Sequence, residues 1–317
     1  MRSVVFVQNR DFFGARLVHL PLLFALKGAY ADIEIIVFSP FESGHFFRER
    51  GLASEVIVYP YGLLRMRRKL KRLRPDLIVS LRPGSEWLNL AIGLSGAKQR
   101  LSFRTVTTRM LFTHTVKRDI SVYRAQDFLK VLEPIGISSK PGFFFWEQSK
   151  QGTVLLPDER NTFCLIPGGG SGKFKRWGIQ NFIELCERLK ERYQTAVFIF
   201  ILGEVEEHYI KEIRSASIAE ESTILFNETV ANCARAIAGS RVTIANDCGP
   251  AQIAQMMNVP YVGIFSNYDG KAKGRIAEWF FPHKNAQAVT TEDLEDIRAI
   301  SVERIDNAVS QLLPKSD

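Results

Sequence analysis

PGGGSGKFKRW at residues 167–177 and NDCGP at residues 246–250 each follow a strand-like apolar run and lead into a helix-like one. The preceding runs are 162–166 and 241–245, and residues 251–257 after the second stretch have helical spacing. The order strand, glycine turn, helix is typical of an α/β domain with a parallel sheet. Because ligands bind outside the carboxyl ends of such strands, both stretches are predicted to line one binding edge.

The first stretch combines glycine with cations. Gly168 and Gly169 let the backbone approach a ligand closely, and Lys173, Lys175 and Arg176 can neutralise a departing diphosphate without a metal. The spacing is neither that of a P-loop nor the dinucleotide G-x-G-x-x-G pattern. An ordinary surface loop is the alternative interpretation.

The second stretch predicts a phosphate cradle at a helix start. Pro250 suits the first helical position, and the amides around Cys248, Gly249 and Ala251 would point outward to a phosphate. The Asp247 carboxylate would repel phosphate, so its expected partners are sugar hydroxyls or backbone amides. The alternative is a helix cap with a tight turn.

A third strand-like run, residues 196–202, ends in Gly203 and Glu204. Its position predicts that Glu204 accepts sugar or ribose hydroxyls at the same sheet edge. Glu206 and Glu207 follow, and an acidic run at a helix start is typical of a solvated face.

From Phe163 to Phe265 the chain resembles the lipopolysaccharide heptosyltransferase family. The resemblance rests on Lys-x-Trp at 175–177, on the Gly-acid pair at 203–204, and on DCGPAQIA at 247–254, where the family has Asp-Ser/Thr-Gly-x-x-His-Leu-Ala. Cys248 replaces the hydroxyl residue and Gln252 replaces the histidine. The family implies the GT-B fold, an α/β architecture of two Rossmann-like domains with parallel sheets facing a central cleft.

The resemblance also implies an activity. It is transfer of heptose or a related sugar from a nucleoside-diphosphate sugar to a lipopolysaccharide or similar glycan, lipid-linked or oligosaccharide, with inversion and without metal or cofactor. Lys175 would stabilise the leaving group. The residues expected to bind the donor are Gly168, Gly169, Lys175, Gly203, Glu204, Asp247, Cys248, Gly249 and Gln252.

The general base that the family implies is missing from its usual place, where this chain has Ala15. Asp11, in the same loop, is the favoured substitute because a carboxylate there could do the same chemistry. His19 has a suitable ordinary pKa, and Glu42 or Glu86 could act from other loops. Two further alternatives are an acceptor that needs little activation and a protein that binds a nucleotide or glycan without catalysis.

The length of 317 residues exceeds what one hydrophobic core usually spans. Strand and helix patterns alternate in both halves, which predicts two parallel sheets. We expect an acceptor-side domain over 1–150 and a nucleotide-sugar domain over 155–300, with the boundary between Gly142 and Arg160. The closing helix, 302–317, is expected to join the first domain.

The net charge of +8 is concentrated at 65–74, where seven of ten residues are basic. Leu63, Met66, Leu70 and Leu73 fall on one helical face, which predicts a basic amphipathic helix. An anionic membrane surface or a phosphorylated lipid-linked acceptor would suit it, and a merely solvated face is the alternative. No nucleic-acid-binding motif accompanies the charge, so a nucleic-acid partner is not expected.

The remaining sequence features bear on location. No apolar run approaches the ~18 residues that suggest a membrane span, and a strand begins at residue 3, so no leader peptide is expected. The four cysteines lack Cys-x-x-Cys spacing and suit a reducing compartment. We expect a cytoplasmic protein, peripheral at the inner face of the inner membrane, with no metal site.

Overall fold

The computed structural model describes residues 3–8, 12–40, 42–58, 62–138, 161–170, 172–292 and 294–313. The chain divides into two compact units, Met1–Pro141 and Gly142–Asp317. The predicted linker region and the aromatic run at 143–146 lie outside the described residues.

The first unit contains a parallel sheet of six strands in the order β3-β2-β1-β4-β5-β6. Its strands are β1 (Ser3–Val7), β2 (Glu34–Ser39), β3 (Glu55–Val58), β4 (Leu77–Ser80), β5 (Gln99–Phe103) and β6 (His114–Val116). Its helices are α1 (Phe13–Leu17), α2 (Leu20–Ala29), α3 (His45–Glu49), α4 (Leu63–Leu73), α5 (Glu86–Gly93), α6 (Val106–Leu111) and α7 (Arg124–Leu129).

The second unit repeats this arrangement, with strand order β12-β11-β10-β7-β8-β9. Its strands are β7 (Thr162–Ile166), β8 (Val197–Leu202), β9 (Ser222–Phe226), β10 (Val242–Asn246), β11 (Tyr261–Phe265) and β12 (Ala286–Thr290). Its helices are α8 (Ile179–Arg192), α9 (Tyr209–Arg214), α10 (Val230–Ala238), α11 (Ala251–Met256), α12 (Ala272–Trp279) and α13 (Val302–Leu312).

Both sheets have the Rossmann strand order. The second and third strands of each unit are added on one side of the first strand, and the fourth strand lies on its other side. The reversal falls between β1 and β4 in the first unit and between β7 and β10 in the second. The α/β prediction with two Rossmann-like halves and parallel sheets is confirmed. The buried strands are nearly continuous apolar runs because helices cover both faces of a parallel sheet.

The closing helix α13 packs into the core of the second unit. Val302, Ile305 and Val309 are buried in the apolar core that α8 and the second sheet form. Arg192 of α8 also forms an ion pair with Asp306 of α13. The helix is amphipathic, and its apolar face is buried against the unit that precedes it in the chain.

The predicted basic helix is α4, whose Met66 and Leu70 belong to the apolar core of the first unit. Arg65, Arg68, Lys71 and Arg72 are exposed. The amphipathic prediction is therefore confirmed. Each helix in the described ranges is too short or too polar to cross a lipid bilayer.

Candidate functional site

The two glycine stretches meet at the reversal point of the second sheet. Strands β7 and β10 are hydrogen-bonded neighbours, and the loops that leave their carboxyl ends are residues 167–178 and 247–250. In an open α/β sheet this is the place where loops diverge and leave a crevice for a ligand. The predicted binding edge therefore forms within one unit.

Asn246, the last residue of β10, joins the two loops. Its side-chain amide donates to the carbonyl of Pro167 at 2.7 Å, and its Oδ1 accepts from the amide of Trp177 at 3.3 Å. Because Asn246 is buried, both contacts are shielded from water. One side chain thus fixes the beginning and the end of the glycine loop.

Trp177 anchors the far end of this loop. Its ring is fully buried, and its indole N–H donates to the carbonyl of Ile300 at 2.7 Å. Asn181 donates to the Trp177 carbonyl at 2.8 Å. The tryptophan of Lys-x-Trp is therefore a structural anchor that sets where the preceding cations point.

Lys175 and Asp247 carry the charges at the mouth of the site. The Lys175 Nζ lies 2.5 Å from Oδ2 of Asp247, with side chains 21% and 9% exposed. The two residues are 72 positions apart and come from loops on neighbouring strands. The ammonium is held at the sheet edge, where it can also face an anion.

A second ion pair lies beneath the glycine loop. A guanidinium nitrogen of Arg176 lies 3.5 Å from Oε1 of Glu206. Both side chains are mostly buried, so the pair is less screened than a surface pair. The solvated face predicted for the acids after β8 holds for Glu204 and Glu207, which are exposed, and is wrong for Glu206.

The glycines of the site make room for this pair. A Cβ on Gly168 or on Gly203 would lie 3.2 Å from the Glu206 carboxylate. A Cβ on Gly169 would lie 2.6 Å from Cγ of Arg176, closer than real side chains approach. The need for glycine here is thus close packing against Arg176 and Glu206.

Cys248 lies between the charged residues and α11. The amide of Ala251 donates to its thiol. Burial, with smaller contributions from Asp247 and Glu206, raises the pKa of the Cys248 thiol to about 12. The thiol is therefore neutral at physiological pH.

The Gln252 side chain contacts the end of α12. Its side chain is buried, and its amide donates to the carbonyl of Trp279 at the end of α12 at 3.1 Å. Gly249 accepts from the amide of Gln252 at 3.0 Å, which closes the turn into α11. The structure therefore brings Lys175, Asp247, Cys248 and Gly249 together and directs Gln252 towards α12.

Glu204 is exposed at the carboxyl end of β8, the next strand outward from β7. It begins a 3₁₀ turn that leads from Gly203 to Glu206. It therefore lies at the same sheet edge as the two glycine stretches, with an exposed side chain.

The base candidates of the first unit have different environments. Asp11 lies outside the described residues, and Ala15 is buried in α1. Glu42 is exposed and lies 3.1 Å from His45, and Glu86 accepts from Thr107.

His19 is a core residue rather than a base at a surface. Its ring is fully buried and stacks on Phe128, with 5.0 Å between centroids. Neither ring nitrogen has a hydrogen-bond partner among the described residues. Burial lowers the pKa of His19 to about 3, so the imidazole is neutral at physiological pH.

Sequence reasoning missed two residues that organise the site. The sequence marks Asn246 only as the first residue of the second glycine stretch, although an amide side chain at the junction of a strand and a loop is a signal for loop bridging. Glu206 was hidden in an acidic run, and the glycines at 168 and 203 were the only signal that something packs closely there. In the described part of the chain, no group of His, Cys, Asp and Glu is arranged to hold a metal ion.

Comparison with solved structures supports the architecture. The chain is similar to ADP-heptose lipopolysaccharide heptosyltransferase II from E. coli, with 18% identity, 98% of each chain covered and a TM-score of 0.69. A glycosyltransferase family 9 protein from Veillonella parvula gives 15% identity, 98% and 97% coverage and a TM-score of 0.72. E. coli heptosyltransferase WaaC with ADP gives 12% identity, 98% and 97% coverage and a TM-score of 0.71. At these identities the likeness establishes the GT-B-like fold alone.

A match between the sequence and a family model identifies the family. The chain has no significant match among curated proteins. Residues 92–293, more than half of the chain, match the family model described as glycosyltransferase family 9 (heptosyltransferase). The matched range contains both glycine stretches, the Lys175–Asp247 pair and the Asn246 bridge. The chain belongs to glycosyltransferase family 9, the heptosyltransferase family.

Proposed function

We propose that this protein is an inverting glycosyltransferase that moves a sugar, heptose or a related one, from a nucleoside-diphosphate sugar to a lipopolysaccharide or similar glycan without a metal. The observation that carries the proposal is the Lys175–Asp247 pair, held at 2.5 Å where the β7 and β10 loops meet. This edge brings together a cation that can face phosphate oxygens and a carboxylate that can accept hydrogen bonds from sugar hydroxyls.

The donor diphosphate would rest against Lys175 and the β10 loop. Lys175 would exchange part of its contact with Asp247 for the phosphate oxygens, and its charge would stabilise the leaving diphosphate. Asp247, freed from part of this contact, would accept hydrogen bonds from the sugar hydroxyls. Glu204, which follows β8, would accept hydrogen bonds from the ribose hydroxyls. An acceptor hydroxyl would lose its proton as it attacks the anomeric carbon from the opposite side, which inverts the configuration.

The base for that proton is proposed to be Asp11. Ala15 has no group that can accept a proton, and His19 is enclosed in an aromatic core. A specific second candidate follows from the same residues: a nucleotide- or glycan-binding protein of this fold without catalysis. Ala15, the neutral thiol of Cys248 and the buried Gln252 favour it.

The acceptor and the location are proposed from α4. Its exposed basic face, with the apolar face anchored in the core, suits an anionic membrane surface or a phosphorylated lipid-linked acceptor. A cytoplasmic enzyme, peripheral at the inner face of the inner membrane and without a nucleic-acid partner, would meet such an acceptor. Sedimentation with vesicles that contain or lack anionic lipid, at low and high salt, tests whether α4 binds an anionic surface. The wild type is compared with the double variant Arg68→Ser/Arg72→Ser.

The donor site is tested by calorimetry and thermal shift against ADP, UDP, GDP, CMP and their sugar conjugates. A ligand that binds the folded state raises its apparent stability. Stabilisation by one nucleoside diphosphate, lost in Lys175→Ala, supports the proposal. If no nucleotide stabilises the protein, the donor-site assignment is wrong.

Catalysis is tested separately with Ala15→Asp and Asp11→Asn. With the donor and acceptor in hand, Asp11→Asn should abolish transfer while nucleotide affinity is kept. If transfer activity appears only in Ala15→Asp, the natural protein is instead a nucleotide- or glycan-binding protein without catalysis.

A further inference from the structure

Two exposed aromatic rings meet beside the donor edge. Phe174 lies in the β7 loop and Tyr268 in the loop after β11, and their ring centroids are 4.2 Å apart with planes tilted by 42°. They are 38% and 47% exposed. Large aromatic side chains that stay exposed and in mutual contact are suited to covering the apolar face of a ligand.

The place of the pair follows from the strand order. Strand β10 lies between β11 and β7, so a contact between loops from these two strands crosses the carboxyl end of β10. That end carries Asp247, and the residue after Phe174 is Lys175. Glu204 follows β8, on the other side of β7. The aromatic pair therefore spans the strand ends that carry the charged pair, with Tyr268 on the side away from Glu204.

Both rings are held in place. The ring of Phe174 folds back over Gly172, where a Cβ would meet the ring well inside van der Waals distance. The loop of Tyr268 is fixed by Arg275, which donates to Asp269 at 2.8 Å and whose guanidinium lies 5.5 Å from the Tyr268 ring centroid. Asn267 ties this loop to α12 by accepting from the amide of Ala272 at 3.2 Å.

We infer that Phe174 and Tyr268 form a stacking platform for the sugar ring of the donor, a specificity determinant of the transfer. This rests on the proposed function, which puts the diphosphate at Lys175 and the nucleoside towards Glu204. The sugar then lies at the opposite end, next to the aromatic pair. Sugars present faces of C–H groups that pack on aromatic rings, and pre-ordered rings lose little entropy on binding.

The test compares a nucleoside diphosphate with its own sugar conjugate. Kd values are measured by calorimetry for ADP and ADP-heptose, and for UDP and UDP-N-acetylglucosamine, with wild type, Phe174→Ala and Tyr268→Ala. We consider the nucleoside diphosphate, and its sugar conjugate, that the wild type binds. In either variant we expect the Kd of the conjugate to rise about tenfold and the Kd of the free diphosphate to change less than about twofold.

Three further variants sharpen the test. Gly172→Ala keeps both rings but displaces Phe174, and its backbone (φ −155°) accepts alanine, so it should reproduce the loss. Tyr268→Phe keeps the ring and should bind like wild type. Phe24→Ala removes a ring of equal exposure, 38%, from the first unit and serves as the control.

The outcomes separate the two proposals. If the wild type binds none of the nucleotides of the wider screen, GDP and CMP included, the proposed function fails and this inference fails with it. If it binds them and both variants weaken the diphosphate and its conjugate equally, the rings contact the nucleoside and the sugar platform is overturned. Unchanged affinities for both ligands would overturn it as well.

Discussion

Lys175 and Asp247 share a contact of 2.5 Å between Nζ and Oδ2, although they belong to loops that follow different strands. The pair neutralises itself in the free protein, so an incoming diphosphate must compete with a carboxylate for the ammonium. Removal of Lys175 and removal of Asp247 should therefore have different effects on the affinity for the diphosphate.

For Lys175→Ala we expect the Kd for the preferred nucleoside diphosphate to rise about tenfold or more, because the cation facing the phosphates is lost. Calorimetry measures the change. Lys173→Ala is the matched control, since it removes an exposed lysine from the same 3₁₀ turn. Equal losses in both variants would show that general positive charge, not the held ammonium, binds the ligand.

For Asp247→Asn we expect the opposite effect on the free diphosphate. The substitution removes a negative charge from beside the phosphates and releases Lys175, so affinity for the diphosphate is kept or increased. Transfer should fall at least about tenfold, because the carboxylate that accepts sugar hydroxyls is gone. A parallel loss of diphosphate affinity and transfer would contradict this division of roles.

Asn246→Ala should loosen the glycine loop at both ends. It leaves the Pro167 carbonyl and the Trp177 amide without their bonds to the Asn246 side chain in a buried place. We expect unfolding free energy to fall by about 2–3 kcal/mol and nucleotide affinity to fall with it. Chemical denaturation and calorimetry measure the two effects. Asn307→Ala, at an exposed position of α13, is the control for loss of an amide.

Glu206→Leu should destabilise the second unit, because it leaves the mostly buried Arg176 without this carboxylate. A loss of about 2–4 kcal/mol is expected, of which the double variant Arg176→Met/Glu206→Leu should recover a part. The interaction energy from the double-mutant cycle is the measurement. Additive effects of the two single variants would mean that the 3.5 Å pair contributes nothing of its own.

The fold was predictable because periodicity is local. Apolar runs such as 162–166 and the helical spacing after Ala251 gave strands and helices, and their alternation gave parallel sheets. The unit that α13 joins was not predictable in this way, because an amphipathic helix shows that a face is buried but not which core buries it.

The site was predictable in part. Glycines and lysines at strand ends identified the edge, since parallel strands bring their carboxyl ends together. The role of Glu206 depends on a contact with Arg176, which lies 30 positions earlier in the chain. An acidic run has the same appearance in the sequence whether its side chains are solvated or paired.

His19 gives the stability of the first unit a pH dependence that can be isolated. Its ring is enclosed by the rings of Phe6, Phe47 and Phe128, none of which can titrate. Burial lowers its pKa to about 3 in the folded state, whereas the unfolded chain has the ordinary value near 6.5. Below pH 6.5 the unfolded state therefore binds a proton that the folded state does not, so stability falls as pH falls from 6.5 towards 3.

The expected size follows from this linkage. Between pH 7 and pH 5 the wild type should lose about 2 kcal/mol more unfolding free energy than His19→Phe, which keeps an aromatic ring and removes the titrating group. Urea unfolding at both pH values measures the difference, and any packing cost of phenylalanine shifts both values equally. His114→Asn, at an exposed histidine, should keep the wild-type dependence. If His19→Phe also keeps it, the ring of His19 is protonated within the folded protein, and its enclosure by the three phenylalanines does not hold it neutral.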